Sequence, residues 1–290
     1  MSTIILGTIM ALGAAFSWAS STILIRVGLQ EKSPIAANIL RLYIIGTIYL
    51  LILAVTHGWE QVESAGIIVV LVAMISAMFG FVIGDYFYFS ALKMVGVSRT
   101  VPITSTYPLW AILWSFLFLG EKVSFLLLLG TVLIVLAIII VRRAEERENV
   151  NPKGFIYAFV APISWSVAIV LLGWLTRYLS PLTVAGLRMV LAALGISVFL
   201  PRRKGEIRRV NVRELLAIGG AAISGLLIGQ YLFVYSISIV GSQVAAPVSS
   251  VNPIIASYFA VAFLHEKPNR RILEGLIMAV SGVILITLSG

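Results

Sequence analysis

The chain has 290 residues, of which 60% are hydrophobic and 11% charged, and its mean hydropathy is +1.06. That composition excludes an ordinary soluble surface and implies a polytopic membrane protein. The net charge of +9 falls in short clusters rather than along a continuous face, which argues against nucleic acid as a partner, and the absence of cysteine excludes disulfides, thiolate metal sites and cysteine nucleophiles.

The first ten residues, MSTIILGTIM, lack the positive region of a signal peptide and run straight into an apolar segment, so they are read as a retained first span. A membrane helix needs about 20 mainly apolar residues. Ten such stretches lie near 4–27, 34–56, 65–92, 98–119, 124–142, 154–176, 182–200, 214–238, 243–264 and 271–289. The runs are continuous rather than alternating, which points to helices and not to a barrel. Loops after spans 1, 3, 5, 7 and 9 hold 17 of the 21 basic residues, whereas the other face has only Lys122 and Arg177. Because Lys and Arg are retained on the cytoplasmic side, those loops are expected to be cytoplasmic and both termini outside.

The chain also repeats itself. Gly7, Ser17, Trp18, Ser33, Pro34 and Arg41 align, at an offset of 147, with Gly154, Ser164, Trp165, Ser180, Pro181 and Arg188. At an offset of 145, Gly80, Gly84, Tyr86, Gly96, Pro102, Ser105, Pro108, Glu121, Lys122 and Gly130 align with Gly225, Gly229, Tyr231, Gly241, Pro247, Ser250, Pro253, Glu266, Lys267 and Gly275. Residues 1–142 and 154–290 are thus read as two five-helix repeats, joined by a polar linker at 143–153 within RRAEERENVNPKG. An odd number of spans forces the second half to enter the membrane inverted. Two inverted halves can exchange inward-open and outward-open shapes around a midplane site, which favours a carrier over a channel or an intramembrane enzyme.

These features, with a Trp in the first span of each half and a P…P…(G/H)EK pattern at spans 4 and 9, resemble the drug/metabolite transporter superfamily and its EamA-type ten-helix exporters. The resemblance covers essentially the whole chain. It implies a transporter fold, and together with intramembrane polarity it implies a cavity lined by spans 1, 3, 4, 6, 8 and 9. It does not specify the substrate.

Asp85, in GDYFYFSALKMVG, lies roughly 12 Å from the Lys93 end of span 3, too deep for a short side chain to reach water easily. Two readings stand: a group that binds a substrate amine or relays a proton, or a carboxyl that pins span 3 to a neighbour. Its repeat mate is the neutral Gln230, and a scaffold role common to both halves would not need the proton, which favours the first reading. Trp18 and Trp165 sit mid-span among small residues and are candidate cavity walls, with structural packing the alternative. Tyr86, Tyr231, Tyr107 and Trp110 are further aromatic candidates. Spans 4 and 9 carry Ser105, Ser249 and Asn252 beside Pro108 and Pro253, which are expected to break their helices as hinges. Arg41 and Arg188 are read mainly as structural, with an anion site the minority reading; spans 3, 4, 8 and 9 hold no basic residue in their cores, which argues against sugar phosphates. Glu121-Lys122 and Glu266-Lys267 are read as loop-end anchors. His57 and His265 form no metal pair, and no catalytic constellation, cofactor motif or ATP motif is present.

The sequence is therefore read as a secondary active transporter of the cell membrane, working by alternating access without a cofactor. The expected cargo is a small exported metabolite such as an amino acid, possible coupling is to protons, and the expected surroundings are a lipid bilayer and a monomer or weak homo-oligomer. Alternatives are a multidrug or cationic-compound exporter, in which Asp85 and the Trp rings would hold the cation, and a passive channel or facilitator.

Overall fold

The structure, a computed structural model, describes residues 2–28, 33–142, 152–264 and 270–289. All regular structure among them is helical. Among the described residues, nine helices are long and apolar enough to cross a membrane: Ser2–Ile25, Ile35–Val55, Ile67–Val95, Arg99–Leu119, Pro152–Leu175, Pro181–Arg208, Val212–Val240, Ser242–Phe263 and Arg270–Leu288. With the shorter apolar helix Phe125–Val141 in fifth place, they make the ten expected spans, numbered below in chain order. Two pieces were not foreseen. A short helix, Gly58–Ala65, connects spans 2 and 3, and the basic helix Leu200–Arg208 continues span 7 beyond its apolar stretch.

The repeat governs local structure as well as composition. Spans 2 and 7 both start with a Ser-Pro pair: the Ser33 hydroxyl accepts from the Ala36 N–H and the Ser180 hydroxyl from the Thr183 N–H, each at 3.3 Å, with Pro in the first helical turn, where no N–H is required. Spans 3 and 4, and again 8 and 9, are joined through one glycine, Gly96 at φ 80° and Gly241 at φ 79°, a backbone setting that a side chain would strain. Spans 4 and 9 break where the proline pattern predicted. Helix Val97–Thr104 gives way to Tyr107–Trp114 and Ser242–Ser249 to Asn252–Leu264, with Pro108 and Pro253 opening the second pieces. Spans 3 and 8 are interrupted too: Met78–Gly84 and Ile223–Gly229 are π-helical. The sequence reading missed these wider turns, although Gly80, Gly84, Gly225 and Gly229 sit within them.

Every span has its main packing partner in the opposite half. Span 1 lies against spans 8 and 9, span 6 against 3 and 4, span 2 against 7, and span 5 against 10. Hydrogen bonds follow the same exchange. The Ser76 hydroxyl donates to the Ala168 carbonyl and, at the equivalent place, the Ser21 hydroxyl donates to the Ala221 carbonyl, both at 2.8 Å. In spans 5 and 10 the backbones approach so closely that a Cβ on Gly130 would lie 2.5 Å from the Gly282 carbonyl oxygen. Helices in lipid associate through close van der Waals packing of this kind.

Because the core lies between the halves, each half expressed alone is expected to be degraded or to aggregate, and co-expression of the two is expected to restore a folded particle. Size-exclusion profiles in detergent check this; a monodisperse, cooperatively unfolding single half would contradict it.

Candidate functional site

Breaks in four spans and glycine notches in two of them open a central cavity of about 620 Å³, lined from eight spans and by neither span 5 nor span 10. Its walls mix aromatic rings with a few polar groups, the usual anatomy of a small-molecule site. Spans 2 and 7 contribute Ala37, Arg41 and Arg188, so the lining is wider than the six spans expected.

Two indoles fix the walls. Trp18, from the first half, fits over Gly229 and donates its Nε1–H to the Gly225 carbonyl at 3.0 Å. Trp165, from the second half, fits over Gly84, where an added Cβ would lie 2.5 Å from its ring. Strict symmetry would send the Trp165 N–H to the Gly80 carbonyl. It goes instead to Asp85 Oδ1 at 3.2 Å, while Asn38 Nδ2 donates to Asp85 Oδ2 at 3.3 Å and to the Phe81 carbonyl at 3.1 Å. The carboxylate is thus held from spans 2 and 6 and still lines the cavity. In the other half Gln230 is buried and Ala185 stands where Asn38 would be.

Two guanidinium groups also reach this space. Arg41 lies in the electrostatic field of Asp85, and its Nε is buried without an acceptor. Arg188 is 2% exposed; its Nη2 donates to the Ser76 carbonyl at 3.3 Å, and its carbon lies 5.0 Å from the centre of the Phe81 ring.

Of the sequence candidates, Asp85, Gln230, Trp18, Trp165, Ser105, Tyr107 and Asn252 line the cavity, and Pro253 does so at its break. The Tyr107 hydroxyl donates to the Ala246 carbonyl at 3.3 Å, tying span 4 to span 9. Tyr86, Tyr231, Trp110, Ser249 and Pro108 lie elsewhere. Tyr86 stacks on Phe199 and Trp110 on Trp114, and Tyr231 lies tilted against Tyr235; Ser249 is buried and donates to the Ala246 carbonyl; Pro108 is buried in its helix. Tyr88, which faces the Trp165 ring at 5.2 Å, lines the cavity but was not among the site candidates. The hydroxyls of Thr104, Ser105 and Ser250 all donate to carbonyls of their own helices, so towards a solute they present acceptor lone pairs.

The cavity extends through Ile25, Ala37, Leu92 and Val101 toward the face that carries the basic loops. On the opposite side the halves are bonded together. Glu121 accepts from the Ser242 N–H at 3.2 Å, the Ser242 hydroxyl at 3.1 Å and the Gln243 N–H at 3.1 Å, at the N-terminus of span 9. Ser115 and Ser242 share a hydroxyl hydrogen bond of 2.9 Å, and Trp114 Nε1 donates to the Ser166 hydroxyl at 3.1 Å. Glu121 is therefore an anchor between halves. Its repeat mate Glu266, with Lys267 and His265, lies outside the described residues.

With this geometry in place, comparison with known proteins decides the class. The EamA-like transporter family matches residues 5–143 and again residues 152–288. The chain belongs to that family. It is 31% identical over 287 residues to an Archaeoglobus fulgidus protein named only as a transporter, covering 97% of each chain. It is also 25% identical over 237 residues to a Bacillus cereus protein named for sugar uptake, covering 75% of this chain and 78% of that one. A crystal structure at 19% identity has the same fold, with a TM-score of 0.81 over 98% of this chain and 96% of the other. The protein is thus a multi-pass membrane transporter of the EamA family.

Gly84→Ala and Gly229→Ala are each expected to push an indole from its notch and to cost about 1–3 kcal/mol of stability, the usual penalty for overpacking. Gly219→Ala in span 8, whose added methyl meets nothing within 4 Å, serves as the neutral control. Thermal unfolding in detergent micelles reads all three.

Proposed function

We propose that this EamA-family transporter is a secondary carrier that moves a small zwitterionic metabolite, such as an amino acid, out of the cytoplasm by alternating access. The observation that carries the reading is a polar, aromatic-walled cavity between inverted halves, reaching toward one face and closed by hydrogen bonds at the other. Retention of Lys and Arg in the cytoplasm supports placing the basic loops inside and both termini outside, so that the described state faces inward and loads from the cytoplasm. Asp85, together with the acceptor lone pairs of spans 4 and 9, suits an ammonium group; Trp18 and Trp165 suit an apolar stem. Asp85 is also the candidate for proton coupling, since it both lines the cavity and holds Trp165 in place.

The name of the Bacillus cereus relative suggests a polyol as a second reading, and the Ser, Thr and Asn groups would serve hydroxyls. Against it, a carboxylate and two guanidinium groups in one cavity suit a charged solute better than a neutral one. Two inward-directed cations likewise disfavour a lipophilic cation.

The absence of native cysteine makes the test clean. In a Ser115→Cys/Ser242→Cys variant, oxidation is expected to lock the closed face and to reduce counterflow of labelled amino acids in proteoliposomes at least about tenfold, with recovery on reduction. The pair of hydroxyls is 2.9 Å apart, close enough for a disulfide after small adjustment. Undiminished flux through the oxidised variant would favour a channel. Counterflow of sugars but not of amino acids would favour the second reading. Asp85→Asn is expected to abolish any dependence of transport on a proton gradient.

A further inference from the structure

The two cavity arginines, Arg41 half-buried and Arg188 buried, are repeat mates, yet only Arg41 lies in the field of a carboxylate. Arg41 interacts with Asp85. At the corresponding place Arg188 has Gln230, and Ala185 in place of Asn38, so the acidic subsite of one half is neutral in the other. Among the described residues Arg188 forms no ion pair. Its Nη2 has one carbonyl partner, whereas Nε and Nη1 are buried with none, although the residue is 2% exposed and lines the cavity. The Phe81 ring covers one face of the guanidinium, and Gly80 leaves room beside it, since a Cβ there would lie 3.0 Å from Nη2. A cation in a membrane interior pairs with another group or faces a water-filled path to a ligand, and a guanidinium with free N–H donors is matched by a planar or tetrahedral oxyanion.

We propose that Arg188 is the oxyanion subsite of the cavity, binding a carboxylate or phosphate on the transported solute. The assignment rests on reading the cavity as the transport site, and it places the negative end of the solute at the Arg188 guanidinium, which reaches from span 7 to the Ser76, Gly80 and Phe81 segment of span 3. It also gives the difference between the halves a function: the second half leaves a positive charge for the solute to neutralise, as Asp85 does for Arg41.

The test is thermal unfolding of the purified full chain in detergent with sodium acetate or with inorganic phosphate, each against sodium chloride at equal ionic strength. Either oxyanion is expected to raise Tm in a saturable way by a few degrees, as a ligand specific to the folded state does; which one does so identifies the group. Arg188→Gln is expected to abolish the shift, measured against that variant's own anion-free Tm. Should that variant misfold, Gln230→Asp provides the same reading by placing an internal carboxylate at the Asp85-equivalent position, and it too is expected to abolish the shift. No shift beyond chloride in the wild type, or a shift that survives in either variant, overturns the proposal. The carrier reading is judged separately by counterflow: zwitterion exchange that persists in Arg188→Gln would reject the oxyanion subsite and leave the carrier standing, whereas an anion shift without any counterflow would do the reverse.

Discussion

The constraint on which the structure depends is the insertion of large side chains from each half into glycine notches of the other. A π-helical turn lacks the regular side-chain spacing of an α-helix, and with glycine at its third and last positions it leaves a groove wide enough for an indole and a guanidinium. Gly80 and Gly84 receive Arg188 and Trp165; Gly229 receives Trp18, with Arg41 close to Gly225. In lipid there is little hydrophobic force between helices, so such fits, together with serine-to-carbonyl bonds between halves, account for association. The same grooves generate the cavity. Scaffold and site are one set of residues, and their geometry cannot be altered independently.

Symmetry then makes its exceptions informative. The two Trp residues occupy equivalent notches, but one indole bonds a backbone carbonyl and the other a carboxylate. Asp85 therefore takes over a backbone acceptor's role while adding a titratable charge. Of the two readings the sequence left open, a carboxyl that pins span 3 to its neighbours and a group that binds a substrate amine or relays a proton, the hydrogen bonds show the first, and the second belongs to the proposed function. The two oxygens of Asp85 accept from spans 2 and 6, and it lines the central space.

Span number, the repeat and the proline breaks could be read from the sequence because each depends on local composition: apolar length, residue identity at a fixed offset, and a missing N–H. What could not be read was the direction in which side chains face. Tyr86 and Tyr231 are equally conspicuous in sequence to Tyr107, but they lie against Phe199 and Tyr235, away from the cavity. Within a helix that contains a π-turn, the face a residue presents shifts by part of a turn, so simple periodicity loses the register. The sequence reads Arg41 and Arg188 mainly as structural, and finds no basic residue in the cores of spans 3, 4, 8 and 9. Their guanidiniums instead arrive from spans 2 and 7, on side chains long enough to cross to the neighbouring helix. The repeated Ser-Pro start followed by Arg seven residues later was the available signal, and only the packing of spans 2 and 7 shows where it leads.

The bonds that join the halves opposite the basic face set a scale of energy and time. Glu121 meets Ser242 and Gln243 through a few charge-assisted hydrogen bonds at a helix N-terminus. Each is worth about 1.5–3 kcal/mol net at most, since water can replace it. A seal of this kind differs from an apolar plug of equal area, whose rupture would expose oily surface with nothing to compensate. In the proposed carrier these bonds would have to exchange for water when the face opens, and collective helix movements of that kind occur in microseconds to milliseconds. For the proposed carrier, a closure of this kind is one that thermal motion could reverse.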